Sequence, residues 1–307
     1  MSKFLKDLLP GVIAMLKKMA KYKTVLGEEY PGRAYDNAAK IVVSDNILRR
    51  VLDGKSLPRG IGQKIRDTIV EFVSTGSTKE LIELEQDPKI MALERFEQVI
   101  GIGPVNALKF VLQGYTTLAD LSKADDLTTM QKIGIEYFDK IMVRIPRKIV
   151  ESVFSAVKQR LLNNDVEDII VTGSYRRGAL TSGDVDILVK SDTMEAKSLL
   201  DYLPSDADRI VVLSAGPQKV SFLWKLPDSN FYVQVDIFVS KSDEYIAHLN
   251  YSTGSADHNI MMRTEAIKRG YKLSQHGLYK GTTKIKLESE QELYKLVGVP
   301  FVEPEYR

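Results

Sequence analysis

The sequence predicts a multidomain α+β protein, with a helical front, a mixed β-sheet in the middle and a small α+β unit at the end. Three observations lead there. In residues 8–83 apolar side chains recur at helical spacing, as in Ile13, Leu16 and Ala20 and then Ala34, Ala38 and Ile41. Five apolar runs follow at 168–172, 184–189, 209–213, 219–226 and 231–239, and their spacing and β-branched content read as strands. From about Tyr251 the pattern returns to a helix (257–269) and then to short extended pieces at Tyr271–Leu273, Leu278–Tyr279 and Lys284–Lys286.

At 307 residues the chain has room for two or more cores, and its 27% charged and 44% hydrophobic content is ordinary for a globular protein. No apolar run reaches membrane-spanning length. The opening MSKFLKDLLPGVIAMLKK, interrupted by Asp7 and Pro10, lacks a secretory signal pattern. A soluble, intracellular monomer is expected. With no cysteine, disulfides and thiolate metal sites are excluded. The net charge of +2 hides an uneven distribution: residues 1–83 carry 15 Lys+Arg against 10 Asp+Glu, and residues 151–307 carry 19 against 22. A basic front and a slightly acidic back suit a nucleic-acid grip followed by a metal-binding part.

The front is punctuated by two similar turns. Leu-Pro-Arg-Gly-Ile-Gly (57–62) precedes a helix from Gln63 to Val73, in which Ile65, Ile69 and Phe72 form the expected buried stripe. Lys64 and Thr68 share another face of that helix at i,i+4 spacing. After a linker at Gln86-Asp87-Pro88, Val-Ile-Gly-Ile-Gly-Pro-Val-Asn-Ala-Leu-Lys-Phe (99–110) repeats the plan. Gly60 and Gly62, and then Gly101 and Gly103, let backbone amides approach a phosphate with no Cβ in the way. A pair of plain helical turns would read the same way. Two copies, each opening a helix, resemble helix-hairpin-helix motifs, which implies sequence-independent contact with the DNA backbone.

The middle is organised around residues 169–190. An apolar run leads into Gly173-Ser174, then Arg176, Arg177 and Gly178, and a second run opens with Gly183-Asp184-Val185-Asp186. Strand geometry puts both acids on one face, about 6–7 Å apart at Cα, with Val185, Ile187 and Val189 turned to a core. Paired carboxylates on a rigid strand suit Mg²⁺. Gly173 and Ser174 can offer N–H groups and a hydroxyl to a phosphate, and Arg177 adds a charged fork. The strand at 231–239 adds Asp236, facing away from Phe231, Val233, Val235, Ile237 and Val239. A carboxylate amid such residues is costly unless it is paired or ligates a metal. Alone, this constellation fits any nucleotidyltransferase, including those that modify antibiotics or RNA tails.

The wider set of motifs resembles the family X DNA polymerases from about residue 10 to 307. It comprises the two hairpins, Arg-Ile-Pro-Arg (144–147), the Gly-Ser to Asp-Val-Asp stretch, and Tyr-Ser-Thr-Gly-Ser (251–255) with Asn259 and Arg263 beyond. The resemblance implies four parts: a lyase-like domain at 1–83, a hairpin subdomain at 84–147, a catalytic nucleotidyltransferase palm at 148–250 and a nascent-base-pair subdomain at 251–307. It implies that Asp184, Asp186 and Asp236 are catalytic and hold two Mg²⁺ ions, for which Mn²⁺ can substitute, and that a monovalent cation sits at the hairpins. Arg144, Gly173, Ser174, Arg177, Gly183, Tyr251, Gly254 and Asn259 would contact the incoming dNTP. Gly60, Gly62, Lys64, Gly101, Gly103 and Arg263 would contact gapped or primed double-stranded DNA. Tyr251 and Gly254 are placed in a loop before the helix that carries Asn259 and Arg263.

The implied activity is template-dependent, gap-filling DNA synthesis, with template-independent nucleotidyl transfer as the alternative and a DNA-end-binding module with a decayed centre as a third reading. Four positions depart from the family pattern. Thr68 stands where a lyase lysine would form a Schiff base, and a hydroxyl cannot form an imine. Ser252 replaces an aromatic residue beside the sugar, Ala256 replaces an acid, and Gln234 replaces an arginine beside Asp236. His248, His258 and His276, lacking metal-spaced partners, are expected at the surface.

Overall fold

The computed structural model describes residues 2–54, 56–162, 165–203 and 209–307. The chain divides into two compact units, Met1–Glu136 and Tyr137–Arg307.

The first unit is all helical: α1 (Ser2–Val25), α2 (Glu29–Ile41), α3 (Asp45–Asp53), α4 (Gln63–Thr75), α5 (Lys79–Glu85), α6 (Pro88–Glu97), α7 (Pro104–Leu112), α8 (Leu118–Leu121) and α9 (Thr129–Glu136). Its longest helix begins at Ser2, six residues before the periodic pattern was expected to start. Val12, Met15, Leu16, Met19 and Tyr22 of α1 are buried, a stripe at the i, i+3/i+4, i+7 spacing of a core-facing helix. Local chemistry sets the helix starts: Ser44, Thr78, Asp87 and Thr117 each accept a backbone N–H as N-caps of α3, α5, α6 and α8. The presumed linker at 86–88 is therefore a tight corner, with Asp87 capping and Pro88 at the first helical position.

In the second unit, β1 (Ile145–Pro146), α10 (Arg147–Leu161), β2 (Asp168–Val171), a single turn α11 (Gly173–Arg176), β3 (Thr181–Ser182) and β4 (Val185–Lys190) come first. They are followed by β5 (Ile210–Ala215), β6 (Lys219–Lys225) and β7 (Tyr232–Ser240). The sheet order is β2-β4-β7-β6-β5, with β4 and β7 parallel and the other neighbours antiparallel. α10 packs Val150, Val153, Val157 and Leu161 against Val185, Ile187, Val233, Val235 and Ile237 of the sheet. Each such fully buried side chain contributes roughly 1.5–3 kcal/mol relative to exposure. On the opposite face Leu188 meets Tyr245 and Leu249 of α12 (Tyr245–Thr253).

α13 (Ala256–Lys268), the meander β8 (Tyr271–Ser274), β9 (Gly277–Lys280) and β10 (Thr283–Ile285), and α14 (Glu290–Val297) complete the unit. Their core holds Met262, Ala266, Leu278, Leu293, Tyr294 and Val297. Among the described residues no helix is long and apolar enough to cross a membrane.

Several expectations need correction. Phe231 precedes β7 and is 50% exposed, because the core alternation starts only at Val233. On α4 the buried face is Ile65, Thr68 and Ile69, with Phe72 half-buried, so Thr68 faces the interior. Tyr251 lies on α12, not in a loop, and only Gly254 follows the helix end. His248 and His258 are buried. Burial, then the proximity of His276, pushes the His248 imidazole down to about 4, which keeps it neutral. His258 meets the Tyr294 hydroxyl at 2.7 Å.

Candidate active site

The sheet register builds the acidic centre. β4 and β7 run parallel with Asp186 directly beside Asp236, and Asp184 lies one residue before β4. The three carboxylates offer ligand oxygens within 4.8 Å of one another. Asp236 is 5% exposed and the other two are half-buried. Burial, together with the neighbouring carboxylates, pushes Asp186 up to about 7. Burial and Asp236 likewise raise Asp184. Negative charges packed this closely favour protonation or a shared cation. The donor set is all oxygen and the scaffold is rigid, so the residues fit a hard divalent ion.

A cradle stands beside the acids. The N–H of Thr172, just past β2, donates to the carbonyl of Asp186 at 2.8 Å, tying the start of the Gly-Ser turn to β4. Gly173 has φ +55°, and a Cβ placed on it would lie 2.2 Å from Asp186 Oδ2. Both conformation and contact require glycine here. Ser174 follows, half-buried, on a turn closed by Ala179 N–H donating to the Ser174 carbonyl at 3.1 Å.

Arg177 is anchored: its Nη1 donates to the Thr253 carbonyl at 2.5 Å, at the end of α12. Gly254, with φ +68°, brings the backbone so close that a Cβ there would lie 3.1 Å from the same Nη1. Pairing of Ile145 with Ser182 puts Arg144 opposite Gly183, both exposed.

Tyr251, Asn259 and Arg263 come together. Asn259 Nδ2 donates to the Tyr251 carbonyl at 2.8 Å, and the Arg263 guanidinium lies 5.3 Å from the Tyr251 ring centroid. Ser252 turns its hydroxyl back to the His248 carbonyl at 2.8 Å, leaving no bulk in place of an aromatic side chain. Behind these groups is a network that sequence reasoning missed. Glu290 accepts from Arg176 at 2.6 Å and from Arg307 at 2.7 Å, while Arg176 also donates to Thr253 Oγ1. The Arg307 side chain is fully buried. Lys219, 2.8 Å from Asp236 Oδ2, was missed too. The β6–β7 register brings Lys219 towards Asp236, and no local motif announces either set of contacts. A broad groove of about 1280 Å³ beside α10, lined by Lys148, Trp224 and Phe231 among others, contains none of the candidate site residues.

In the helical unit, Gly60 (φ +95°) and Gly101 (φ +83°) make the two turns, while Gly62 and Gly103 are exposed N-cap residues of α4 and α7. Lys64 is exposed, 3.3 Å from Glu80. The Thr68 hydroxyl meets that of Tyr35 at 3.2 Å, and Tyr35 donates to Glu80 at 3.3 Å. Lys23, with its side chain 8% exposed, pairs with Glu80 at 2.8 Å and Glu28 at 3.0 Å.

Comparisons with known proteins agree with this architecture. Family models match in chain order: the fingers domain of DNA polymerase lambda over residues 94–142, the DNA polymerase beta palm over 144–213 and the DNA polymerase beta thumb over 248–307. DNA polymerase lambda of Arabidopsis thaliana is 30% identical over 98% of this chain and 62% of its own length. DNA polymerase lambda of Rattus norvegicus is 27% identical over 95% of this chain and 55% of its own. DNA nucleotidylexotransferase of Gallus gallus is 24% identical over 84% and 59%. The chain thus spans little more than half the length of these relatives. With fingers, palm and thumb matched in order and a lambda relative aligned along nearly all of it, the chain belongs to the family X DNA polymerases.

Proposed function

We propose that the protein is a template-dependent DNA polymerase of the repair, gap-filling type, adding dNMP from dNTP to a primer 3′-OH. The observation that carries this reading is the convergence of Asp184, Asp186 and Asp236 within 4.8 Å, beside a Gly-Ser cradle and the anchored Arg177. Asp184 and Asp186 would hold one Mg²⁺, and all three acids would hold a second. Bound there, the ions supply a lowered pKa for the primer hydroxyl and neutralisation of the leaving pyrophosphate.

The chain's own groups do the rest. Ser174 and the N–H groups of the Gly173 turn bind phosphate oxygens, and Arg177, with one N–H spent on Thr253, presents its remaining donors to them. Arg144 and Gly183 border the same edge. Asp236 would accept the primer proton. Tyr251, Asn259 and Arg263 form the face that inspects sugar and minor-groove edge, where shared acceptors report fit without sequence. Residues 1–83 and 84–147 grip DNA through the turns at Gly60–Gly62 and Gly101–Gly103, with Lys64 on a 5′-phosphate.

Incorporation on a one-nucleotide gap bearing a 5′-phosphate, with dNTP and rNTP side by side, tests this reading. Templated dNMP addition that is lost in Asp236→Ala is expected. Untemplated extension of a single-stranded primer at equal rate would overturn it and favour the second reading, terminal transfer, which the likeness to a nucleotidylexotransferase supports.

A further inference from the structure

Both oxygens of Asp236 are engaged by side chains outside the acidic triad. Gln234, two residues earlier on β7, donates to Oδ1 at 3.3 Å, a neutral contact. Oδ2 is met from the neighbouring strand, where Lys219 Nζ lies 2.8 Å away. The register explains the reach. Ser221 pairs directly with Asp236 and Lys219 with Phe238, so Lys219 is the diagonal neighbour on the same face of the sheet. Its ammonium also sits 4.9 Å from the Phe238 ring centroid, which brings the aliphatic stem across that ring. The Lys219 side chain is 42% exposed and that of Asp236 only 7%. A buried carboxylate is thus met by a cation that reaches in from the solvent edge.

We propose that Lys219 is the resident counter-ion of the acidic site, a positioning residue that holds Asp236 in its ligating orientation and competes with the incoming divalent ion for Oδ2. The inference rests on the divalent-metal reading of the triad given above. An oxygen that accepts from an ammonium at 2.8 Å cannot offer the same lone pair to a metal, and the ammonium repels a second cation nearby. A metal that uses this oxygen therefore competes with Lys219, and its arrival favours withdrawal of the amine. Its half-exposed side chain can do this by sliding along Phe238 into water, with the arriving divalent ion supplying the charge that the buried carboxylate would otherwise lack. Between turnovers the amine returns and offsets the repulsion between Asp236 and Asp186, its parallel neighbour.

The test is Mn²⁺ binding to the full chain, followed by the electron paramagnetic resonance signal of free Mn²⁺ alongside incorporation rates. Lys219→Met keeps the length and the packing on Phe238 but removes the charge. It is expected to bind Mn²⁺ about tenfold more tightly while incorporating severalfold more slowly at saturating metal. Lys219→Arg should behave like the unaltered protein. Gln234→Arg combined with Lys219→Met returns the cation from β7 and should bring Mn²⁺ affinity back towards the starting value. Lys219→Gln serves in place of the methionine variant if that protein fails to fold. Equal Mn²⁺ affinity with and without the Lys219 charge, in a protein whose binding is lost in Asp236→Ala, overturns the role of Lys219 and leaves the metal reading standing. No Mn²⁺ binding by the unaltered protein overturns both.

Discussion

Gly173 lies so close to Asp186 that a Cβ on it would sit 2.2 Å from the carboxylate Oδ2, in a backbone conformation with φ +55°. The Gly-Ser turn and the acidic centre are therefore packed against one another, and a shift in one presses on the other. Gly173→Ala forces either the turn or the carboxylate to move. Incorporation should fall by about 100-fold or more, and stability by about 1–3 kcal/mol, as for a side chain held at an unfavourable φ. Single-turnover incorporation and a denaturant melt measure the two effects.

Crowding among the acids sets a second expectation. Burial and its carboxylate neighbours raise Asp186 to about 7. A carboxyl whose folded-state value lies above its unfolded value near 4 destabilises the fold as pH rises through that interval, with the full penalty present above about 7. Asp186→Asn should abolish incorporation and yet raise stability at pH 8 by about 1–3 kcal/mol, with little gain at pH 4. Added Mg²⁺ should narrow the difference by stabilising only the unaltered site. Thermal melts at the two pH values, with and without the ion, decide this.

Thr68 bears on the helical unit. Its hydroxyl is buried against Tyr35, and the nearby amines are ion-paired, Lys23 to Glu80 and Glu28 and Lys64 to Glu80. Burial alone would lower Lys23, but its hydrogen bonds to Glu80 and Glu28 outweigh it and hold the amine above its ordinary value. A protonated amine is no nucleophile. Borohydride should trap little or no adduct with a 5′-deoxyribose-phosphate end, and a strong adduct lost in Lys64→Ala would show a substitute nucleophile. Thr68→Val removes one of the two contacts of the Tyr35 hydroxyl and should cost about 1 kcal/mol, leaving incorporation on a primed template near normal.

Glu290 holds two guanidiniums, those of Arg176 and Arg307, in a largely dry setting. Burial favours its neutral form, but the hydrogen bonds from the two arginines prevail and keep the carboxyl below its usual range. The stability it provides is present above the ordinary glutamate value and is lost as pH falls through the lowered one, so acid unfolding should steepen below about pH 4. Glu290→Gln leaves two buried cations uncompensated and should destabilise by about 3–5 kcal/mol. Because Arg176 adjoins Arg177 in sequence and shares Thr253 with it, the variant should also weaken dNTP affinity. KM for dNTP and the acid limb of the melting curve are the readouts.

Much of this molecule is legible in one dimension. The strands at 185–190, 219–225 and 232–240, the helix at 147–161 and the two glycine turns follow from periodicity and turn chemistry, which act over a few residues. The pair Asp184 and Asp186 on one strand face is legible for the same reason. What failed concerns partners. Tyr251 was expected in a loop, and α12 escaped notice, because the buried residues Ala247, His248, Leu249 and Asn250 are spread around the helix and no single stripe marks it. Thr68 faces inward because Tyr35 and the carbonyl of Lys64 satisfy its hydroxyl, and His248 is buried against Phe238 and Tyr251.

By itself the sequence determined the element types, the identity of the three acids and the glycine-serine turn that faces them. Only the tertiary structure decided that Asp236 stands beside Asp186, that Lys219 meets its Oδ2, that Thr253 holds Arg177, and that Arg307 closes on Glu290. The physical reason is range. Periodicity and turn preference are set by neighbours along the chain. Strand register and ion pairing join residues 17 to 114 positions apart, and these form only once the sheet and its covering helices are packed.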